Sequence, residues 1–310
     1  MSKPKLLRIP KLLWFGIIAV VMMVLWVFLA VWFPYHKEQV AIREIKKLGG
    51  EVANYIYAPE YSVHFYKRPI SDEDLKHLKK HFIDLPNLKN LSVVSRSVND
   101  DGIKYLNGLT NLRSLGLNNT QISDEGLKHL SSLTNLKFLD IGNTQVSDEG
   151  MKHLGILINL TQLELEHTKI GNEGLKHLSR LSNLEILFLD DTQISDEGLK
   201  HLGGLTNLSW LYLNNTQISD EGLKHLGGLT NLEQLNLNDT QISDGGLKHL
   251  GGFTTLVWLY LNNTQVSDEG LNYLSRLKKL LTLSLKNTNV SKEGITKLQK
   301  ALPLLSDISY

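Results

Sequence analysis

Residues 205–228 read LTNLSWLYLNNTQISDEGLKHLGG, and residues 229–252 read LTNLEQLNLNDTQISDGGLKHLGG. Segments of the same kind fill most of the chain. A glycine recurs every 24 residues, at Gly102, Gly126, Gly150, Gly174, Gly198, Gly222, Gly246, Gly270 and Gly294. A fixed period of about 20–29 residues predicts a solenoid, because one such unit cannot bury its own apolar face and must stack on its neighbours.

Each unit carries the same pattern of side chains. The LxxLxL pattern of Leu112, Leu115 and Leu117 is followed by Thr120, Ile122 and the segment SDEGLKHL. This wording resembles the leucine-rich repeat family, and in particular a bacterial 24-residue type met in planctomycete-type membrane-anchored proteins. The resemblance covers residues 60–310. It implies an α/β fold, namely a right-handed leucine-rich repeat solenoid or horseshoe with a parallel concave sheet.

The units at the two ends depart from the repeat. Val63, Phe65 and Ile70 precede SDEDLKHL in a degenerate first unit, and we expect Ile308 and Tyr310 in a last strand. The sequence therefore predicts roughly ten strands between residues 60 and 310.

Recurring positions within a unit have separate roles. Strand alternation turns Leu115 and Leu117 inward and the residues between and beside them outward. Thr120 and its equivalents stand where the family usually has asparagine or cysteine, and we expect their hydroxyls to bond to the neighbouring turn backbone. Arg96 interrupts this threonine ladder in the first regular unit.

The second half of each unit predicts a short helix. Ser123 is expected to cap a helix that reaches Leu130, with Asp124 and Glu125 favoured in its first turn by the helix dipole. Glycine costs about 1 kcal/mol in a helix relative to alanine. The recurrence of Gly126 therefore indicates a place where a Cβ would collide.

An uncharged segment of a different kind precedes the repeats. Residues 12–35 read LLWFGIIAVVMMVLWVFLAVWFPY. As a helix they would extend over roughly 36 Å, which is enough to cross a bilayer. The segment predicts a transmembrane signal anchor. A cleavable signal peptide is the alternative, but it would have a shorter apolar region that ends in small residues.

Charges before this segment predict its orientation. Lys3, Lys5, Arg8 and Lys11 precede it without any acid, so residues 1–11 should form a cytoplasmic tail and the repeats should lie outside the cytoplasm. Residues 36–59 are predicted to form a juxtamembrane helix and the N-terminal cap, and residues 60–310 the solenoid.

The composition excludes several classes of protein. There are 33 basic and 32 acidic residues, which give a net charge of +1, so no basic excess indicates a nucleic-acid partner. Cysteine is absent, which excludes disulfides and thiol chemistry. We find no motif for a catalytic triad, a phosphate loop or a zinc protease, and we predict a protein that is not an enzyme and needs no cofactor.

A ladder of histidines has the wrong spacing for a metal site. Its members are His77, His129, His153, His177, His201, His225 and His249. Helices that pack side by side are about 8–10 Å apart, whereas each zinc ligand must come within ~2.0–2.1 Å of the ion. We therefore expect the ladder to be structural, and no metal site is predicted.

The outward strand positions change from unit to unit, and the changed residues are the candidate site. Aromatic residues gather towards the C-terminal half. We expect Phe188 and Tyr212 to lie side by side, and Trp210 and Trp258 to flank Gln234 about 10 Å apart, with space for a partner group between them. The predicted ligand-binding residues on the concave face are Phe188, Asp190, Trp210, Tyr212, Gln234, Asn236, Trp258, Tyr260, Glu164 and Glu166.

These patterns together predict a membrane-anchored module that binds a protein or peptide on its concave face. Exposed Trp and Tyr are typical of binding hot spots. A glycan-binding module is an alternative, because aromatic rings beside Asn, Asp and Gln also suit sugars. A passive structural spacer is a third interpretation, because aromatic residues on strands also pack with their cross-strand neighbours.

Overall fold

The N-terminal part of the chain is one continuous helical run. The computed structural model describes residues 11–55, 58–66, 68–85 and 87–310, so nearly all of the predicted tail lies outside the described residues. Helix α1 (Lys11–Val27), a π-helical turn (Phe28–Trp32) and α2 (Phe33–Lys47) follow one another without a break. The run ends at Gly49, whose φ of 82° suits a residue without a Cβ.

Twelve strands in chain order form one sheet. Strand β1 (Glu51–Tyr55) pairs antiparallel with β2 (Ala58–Phe65), and every later pair is parallel. The other strands are β3 (Leu88–Val93), β4 (Ser114–Gly116), β5 (Phe138–Asp140), β6 (Gln162–Glu164), β7 (Ile186–Phe188), β8 (Trp210–Tyr212), β9 (Gln234–Asn236), β10 (Trp258–Tyr260), β11 (Thr282–Ser284) and β12 (Asp307–Ser309). The sequence underestimates the strands after residue 58 by one, and Tyr310 follows the last strand rather than lying in it.

Short helices connect the parallel strands. They are α3 (Asp72–Ile83), α4 (Asp100–Ile103), α5 (Asp124–Leu127), α6 (Asp148–Leu154), α7 (Asn172–Lys176), α8 (Asp196–Leu199), α9 (Asp220–Leu223), α10 (Asp244–Leu247), α11 (Asp268–Leu274) and α12 (Lys292–Ala301). Five of them continue into 3₁₀ turns, at Lys104–Leu106, Lys128–Leu130, His177–Arg180, Lys224–Gly228 and Lys248–Gly252. The helix predicted to reach Leu130 therefore tightens after Leu127.

The core is a leucine column between the sheet and the helices. Leu211 and Leu213 alternate with the outward residues of β8, and both are fully buried, as is Leu226 from the helical side. The same positions are buried in each regular unit. Stacking identical units removes these side chains from water, which is the main force that holds the solenoid together.

A threonine ladder closes the turn after each regular strand. The Thr216 hydroxyl donates to the Leu213 carbonyl over 2.6 Å, and the bond recurs at each equivalent threonine from Thr120 to Thr288. The predicted bond to the turn backbone is present, and its acceptor lies in the same unit. Where Arg96 interrupts the ladder, the buried hydroxyl of Ser95 donates to the Ile70 carbonyl over 2.7 Å instead.

Neighbouring units are joined by a carboxylate that the local sequence pattern assigns to a different role. Asp124 accepts from the backbone N–H and the hydroxyl of Ser147, the residue that precedes α6, and both distances are 2.7 Å. The recurring glycine accommodates this contact. A Cβ added at Gly150 would overlap the Asp124 carboxylate, which explains the predicted collision.

Helix α2 caps the open end of the solenoid. Its Ala41 and Ile45 are fully buried against the first unit. Lys37 lies 3.8 Å from Asp84, at the end of α3, and the Tyr61 hydroxyl of β2 donates to Glu38. The predicted boundary at residue 35 is therefore not a boundary of secondary structure, because the cap helix begins at Phe33 and is continuous with the apolar helix.

Candidate ligand-binding face

Outward side chains form rows across the parallel sheet, because the strands pair without any shift in register from β3 onward. Between β5 and β10 the first row contains Phe138, Gln162, Ile186, Trp210, Gln234 and Trp258, and the second row contains Asp140, Glu164, Phe188, Tyr212, Asn236 and Tyr260. Eight of the ten predicted ligand-binding residues lie in these rows, and Glu166 and Asp190 lie two positions after the second row, at the next outward position of their units.

Five rings form an aromatic cluster at the C-terminal half of the face, consisting of Phe188, Trp210, Tyr212, Trp258 and Tyr260. The Phe188 and Tyr212 rings are stacked as expected, with centroids 4.1 Å apart and planes at 11°. All five side chains are half-buried. Burial, with smaller effects of Tyr260 and Asp190, raises the pKa of Tyr212, so its hydroxyl stays protonated and able to donate.

The expected space between the two tryptophans is closed. Trp210 and Trp258 meet edge to face, with centroids 6.5 Å apart and planes at 73°. Gln234 stands between them in the row, and its amide donates to the Tyr212 hydroxyl over 2.6 Å. Edge-to-face contact is a favoured geometry for aromatic pairs. A ligand would therefore rest on this pair rather than lie between its members.

An acidic cluster adjoins the aromatic one and consists of Asp140, Glu164 and Glu166. Their carboxylate oxygens lie within 4.8 Å of one another. Burial raises the pKa of Asp140 to about 7, assisted by the charges of Glu164 and Glu166 and opposed by a hydrogen bond from the Gly142 N–H over 3.0 Å. Burial also raises the pKa of Glu164, although Gln162 donates to it over 2.7 Å.

The acidic character continues into the next unit. Burial raises the pKa of Asp190 to about 6, although the Asn214 N–H donates to its carboxylate over 2.7 Å. Asn236 is held to the backbone, because its side-chain oxygen accepts from the Asn238 N–H. In the second row Glu164 is the direct neighbour of Phe188, so the acidic and aromatic clusters meet at that pair.

Asp140 is the residue that the predicted site lacks. Strand alternation already places it outward, but its burial and its proximity to Glu164 depend on the register between β5 and β6. What could have identified Asp140 as part of the site is its position in the second row, on the strand next to that of Glu164. An all-oxygen set of this kind suits hard cations such as Ca²⁺ or Mg²⁺. Burial is the main cause of the raised pKa values of Asp140 and Glu164, and the like charges of the neighbouring carboxylates add to it.

Comparisons with known proteins agree with this architecture. A family model described as leucine-rich repeats (2 copies) matches residues 110–150 and 206–249, and a leucine-rich repeat model matches residues 157–179. No curated protein matches the sequence. The matches support the leucine-rich repeat family, and the fold is a leucine-rich repeat solenoid. Such domains are generally non-enzymatic modules for protein–protein interaction.

Solved structures of bacterial repeat proteins are similar. An internalin (inlF) from Listeria monocytogenes is 25% identical with a TM-score of 0.58, and the match covers 78% of each chain. An internalin C2 from the same species is 29% identical with a TM-score of 0.54, and the match covers 67% of this chain and 84% of that one. A Leptospira interrogans leucine-rich repeat protein, at 22% identity and a TM-score of 0.54, shares the fold over 74% of this chain and 68% of its own.

Proposed function

We propose that this protein is a membrane-anchored leucine-rich repeat module that binds a protein or peptide on its concave face. The observation that carries the proposal is the junction of Glu164 and Phe188, where an acidic cluster meets an aromatic cluster on one rigid sheet. Stacked aromatic rings offer a large contact area at a low cost in side-chain entropy. The adjoining carboxylates favour a cationic group, so the best ligand is a peptide that carries Lys or Arg beside an aromatic or aliphatic residue.

The test uses the full-length protein in lipid nanodiscs. Short random peptides displayed on phage are selected on the wild-type protein and counter-selected on the Trp210→Ala/Tyr260→Ala double variant. We expect each single substitution to weaken the selected peptides by about 2 kcal/mol, which is roughly 30-fold. The control is Glu125→Ala/Lys128→Ala on the helical side, which should retain full affinity.

The salt dependence of binding separates the candidate ligands. Affinity for a basic peptide should fall between low and physiological salt, because the Debye length shortens to ~8 Å. The alternative of a glycan ligand rests on the half-buried rings beside Gln234 and Asn236, and binding of neutral oligosaccharides should hardly respond to salt. If the double variant selects the same peptides with the same affinity, the proposed face is wrong. If neither peptides nor oligosaccharides are enriched on the wild-type protein, the structural-spacer interpretation replaces it.

The membrane anchor is part of the same proposal. Trp14–Lys47 is the candidate membrane span among the described helices by length and composition, and its apolar part packs against nothing in the fold. A signal sequence passes the same test of composition. We favour an uncleaved anchor of bacterial type, with a cytoplasmic N-terminus, because α2 continues the apolar helix directly into the cap.

Protease added to intact cells tests the topology. The repeats should be digested from outside, and the protein should remain in the membrane fraction with its N-terminal residues present. Repeats that resist protease until the membrane is ruptured would contradict the orientation. A mature protein that begins after residue 35 would show a cleaved signal peptide.

A further inference from the structure

The contact between the cap helix α2 and helix α3 contains three side chains with metal-binding atoms. His77 and His81 are four residues apart on α3 and therefore share one face. Glu44 faces them from α2. The ligand atoms of the three residues all lie within 4.8 Å of one another, and His77 Nε2 is 3.7 Å from Glu44 Oε2.

His81 lacks the partners that a buried histidine normally has. Its side chain is only 4% exposed, and both ring nitrogens are buried without a hydrogen-bond partner. A neutral imidazole has one donor and one acceptor, and an unpaired buried polar group is unfavourable. The neutral imidazole is the form that binds metals, through a ring nitrogen that carries no proton. The unpaired nitrogens indicate that a ligand completes the site.

We propose that Glu44, His77 and His81 bind a zinc-class divalent cation that clamps α2 onto α3. Two imidazole nitrogens and one carboxylate are a ligand set that Zn²⁺ uses, with Zn–N distances of about 2.0–2.1 Å and a fourth position taken by water. His77 is half-exposed, with 51% of its side chain accessible, so water and the ion can reach the site.

The surrounding contacts leave the ligands available. Lys47 donates to Glu44 Oε1 over 2.6 Å, which leaves Oε2 directed at His77. The two helices are already held together by the buried Ile45 and by the pair Lys37–Asp84. The ion therefore completes an arrangement that exists before it binds, and joins the apolar helix to the first repeat more tightly.

The histidine ladder supplies a matched control. His129 holds the place of His77 in a regular unit, between Lys128 and Leu130 in the same KHL segment. No carboxylate of a capping helix faces it, and it belongs to no three-residue cluster of metal-binding groups among the described residues. The substitution His129→Ala therefore removes a repeat histidine without touching the site.

The experiment measures Zn²⁺ binding to the metal-free full-length protein in detergent by calorimetry, with Co²⁺ absorption as a second measurement. We expect one ion per chain, a tetrahedral Co²⁺ spectrum and a higher melting temperature with Zn²⁺. His77→Ala and Glu44→Gln change accessible or partly accessible side chains, so they should fold. Each should weaken Zn²⁺ at least ~100-fold, because even the loss of an outer-shell partner typically costs 10–100-fold. His129→Ala should bind like the wild type.

Three results would overturn the proposal. The first is the absence of saturable binding of one Zn²⁺ per chain. The second is unchanged affinity in both His77→Ala and Glu44→Gln, which would show an adventitious ion elsewhere. The third is an equal loss in His129→Ala, which would assign the ion to the repeat histidines. None of these measurements depends on the ligand of the concave face.

Discussion

Asp196 and Ser219, which begin the helical halves of two consecutive repeats, are joined by two hydrogen bonds. The Ser219 N–H donates to Asp196 Oδ1 over 2.8 Å, and its hydroxyl donates to Oδ2 over 2.6 Å. The pattern recurs along the solenoid. At Asn172 the amide oxygen accepts from the Ser195 N–H over 2.9 Å, and the amide nitrogen donates to the Ser195 hydroxyl over 2.8 Å, so the side-chain bond runs in the opposite direction. Each unit thus fixes the position at which the next helix begins.

We expect Asp196→Ala to lower the free energy of unfolding by about 2 kcal/mol, because it removes both bonds and leaves the Ser219 N–H without its acceptor. Glu197→Ala is the control, since Glu197 is exposed and forms an ion pair with the exposed Lys200, the residue that follows α8. Its effect should stay below about 0.5 kcal/mol. Urea denaturation of both variants measures the difference, and equal effects would contradict the role of Asp196.

Gly222 should tolerate no side chain. An added Cβ would overlap the Asp196 carboxylate, so Gly222→Ala should destabilise the protein by about 1–3 kcal/mol although alanine is the better helix former. Gly227→Ala, where no atom lies within 4 Å of the added Cβ, should be nearly neutral. In the Asp196→Ala background the cost of Gly222→Ala should shrink, and thermal melts of the four combinations give the coupling. Strict additivity would show that the carboxylate is not what requires glycine.

The threonine ladder gives a third prediction. Thr216→Val keeps the shape of the side chain but leaves the Leu213 carbonyl without its donor, and we expect a loss of about 1–3 kcal/mol. Thr216 is 6% exposed, so water cannot replace the bond freely. The control Thr230→Val makes the same change at an exposed position. If urea midpoints of the two variants agree, the hydroxyl of Thr216 is solvated.

The acidic cluster makes stability depend on pH. The pKa of Asp140 is about 7 in the folded protein against a usual value of 3.8, so the folded state holds a proton that the unfolded chain releases. The contribution of protonated Asp140 to the free energy of unfolding is full below pH 4 and is lost as the pH rises through about 7. Asp140→Asn should therefore be more stable than the wild type by up to about 4 kcal/mol at pH 8 and no more stable at pH 4. Melting curves at the two pH values test this, with the exposed Glu149→Gln as control. A stability difference that is the same at both pH values would contradict the prediction.

The repeat period is enough to predict the strands and the core. Leu211 and Leu213 must alternate with the outward residues of β8, and the glycine spacing fixes where each unit begins. The bond between Asp196 and Ser219 does not follow from this pattern. From the local sequence alone, Asp196 is expected to stabilise its own helix through the helix dipole. Its actual partner, Ser219, lies 23 residues away, and the contact depends on how two successive units stack.

The candidate site shows the same division. The stacking of Phe188 on Tyr212 follows from strand spacing, because both residues are direct neighbours in one row. The contact between Trp210 and Trp258 depends on side-chain rotamers, which backbone spacing does not determine. The environment of His81 could not be predicted from the repeat pattern, for a different reason. The helix that buries it, α2, lies outside the repeat and has no equivalent in any other unit.

The continuous helix from Lys11 to Lys47 has a geometric consequence. An α-helix turns by about 100° and advances ~1.5 Å per residue, and α2 is fixed to the first repeat by the buried Ala41 and Ile45. If the apolar part is held in a bilayer, the number of residues between that part and α2 determines the rotational orientation of the solenoid about the membrane normal. Two alanines inserted after Tyr35 would turn the concave face by about 200°, to the opposite side. Seven inserted alanines would restore its original orientation to within about 20°. Under the proposed anchoring, the length of this helix would therefore determine the direction in which the proposed binding face points.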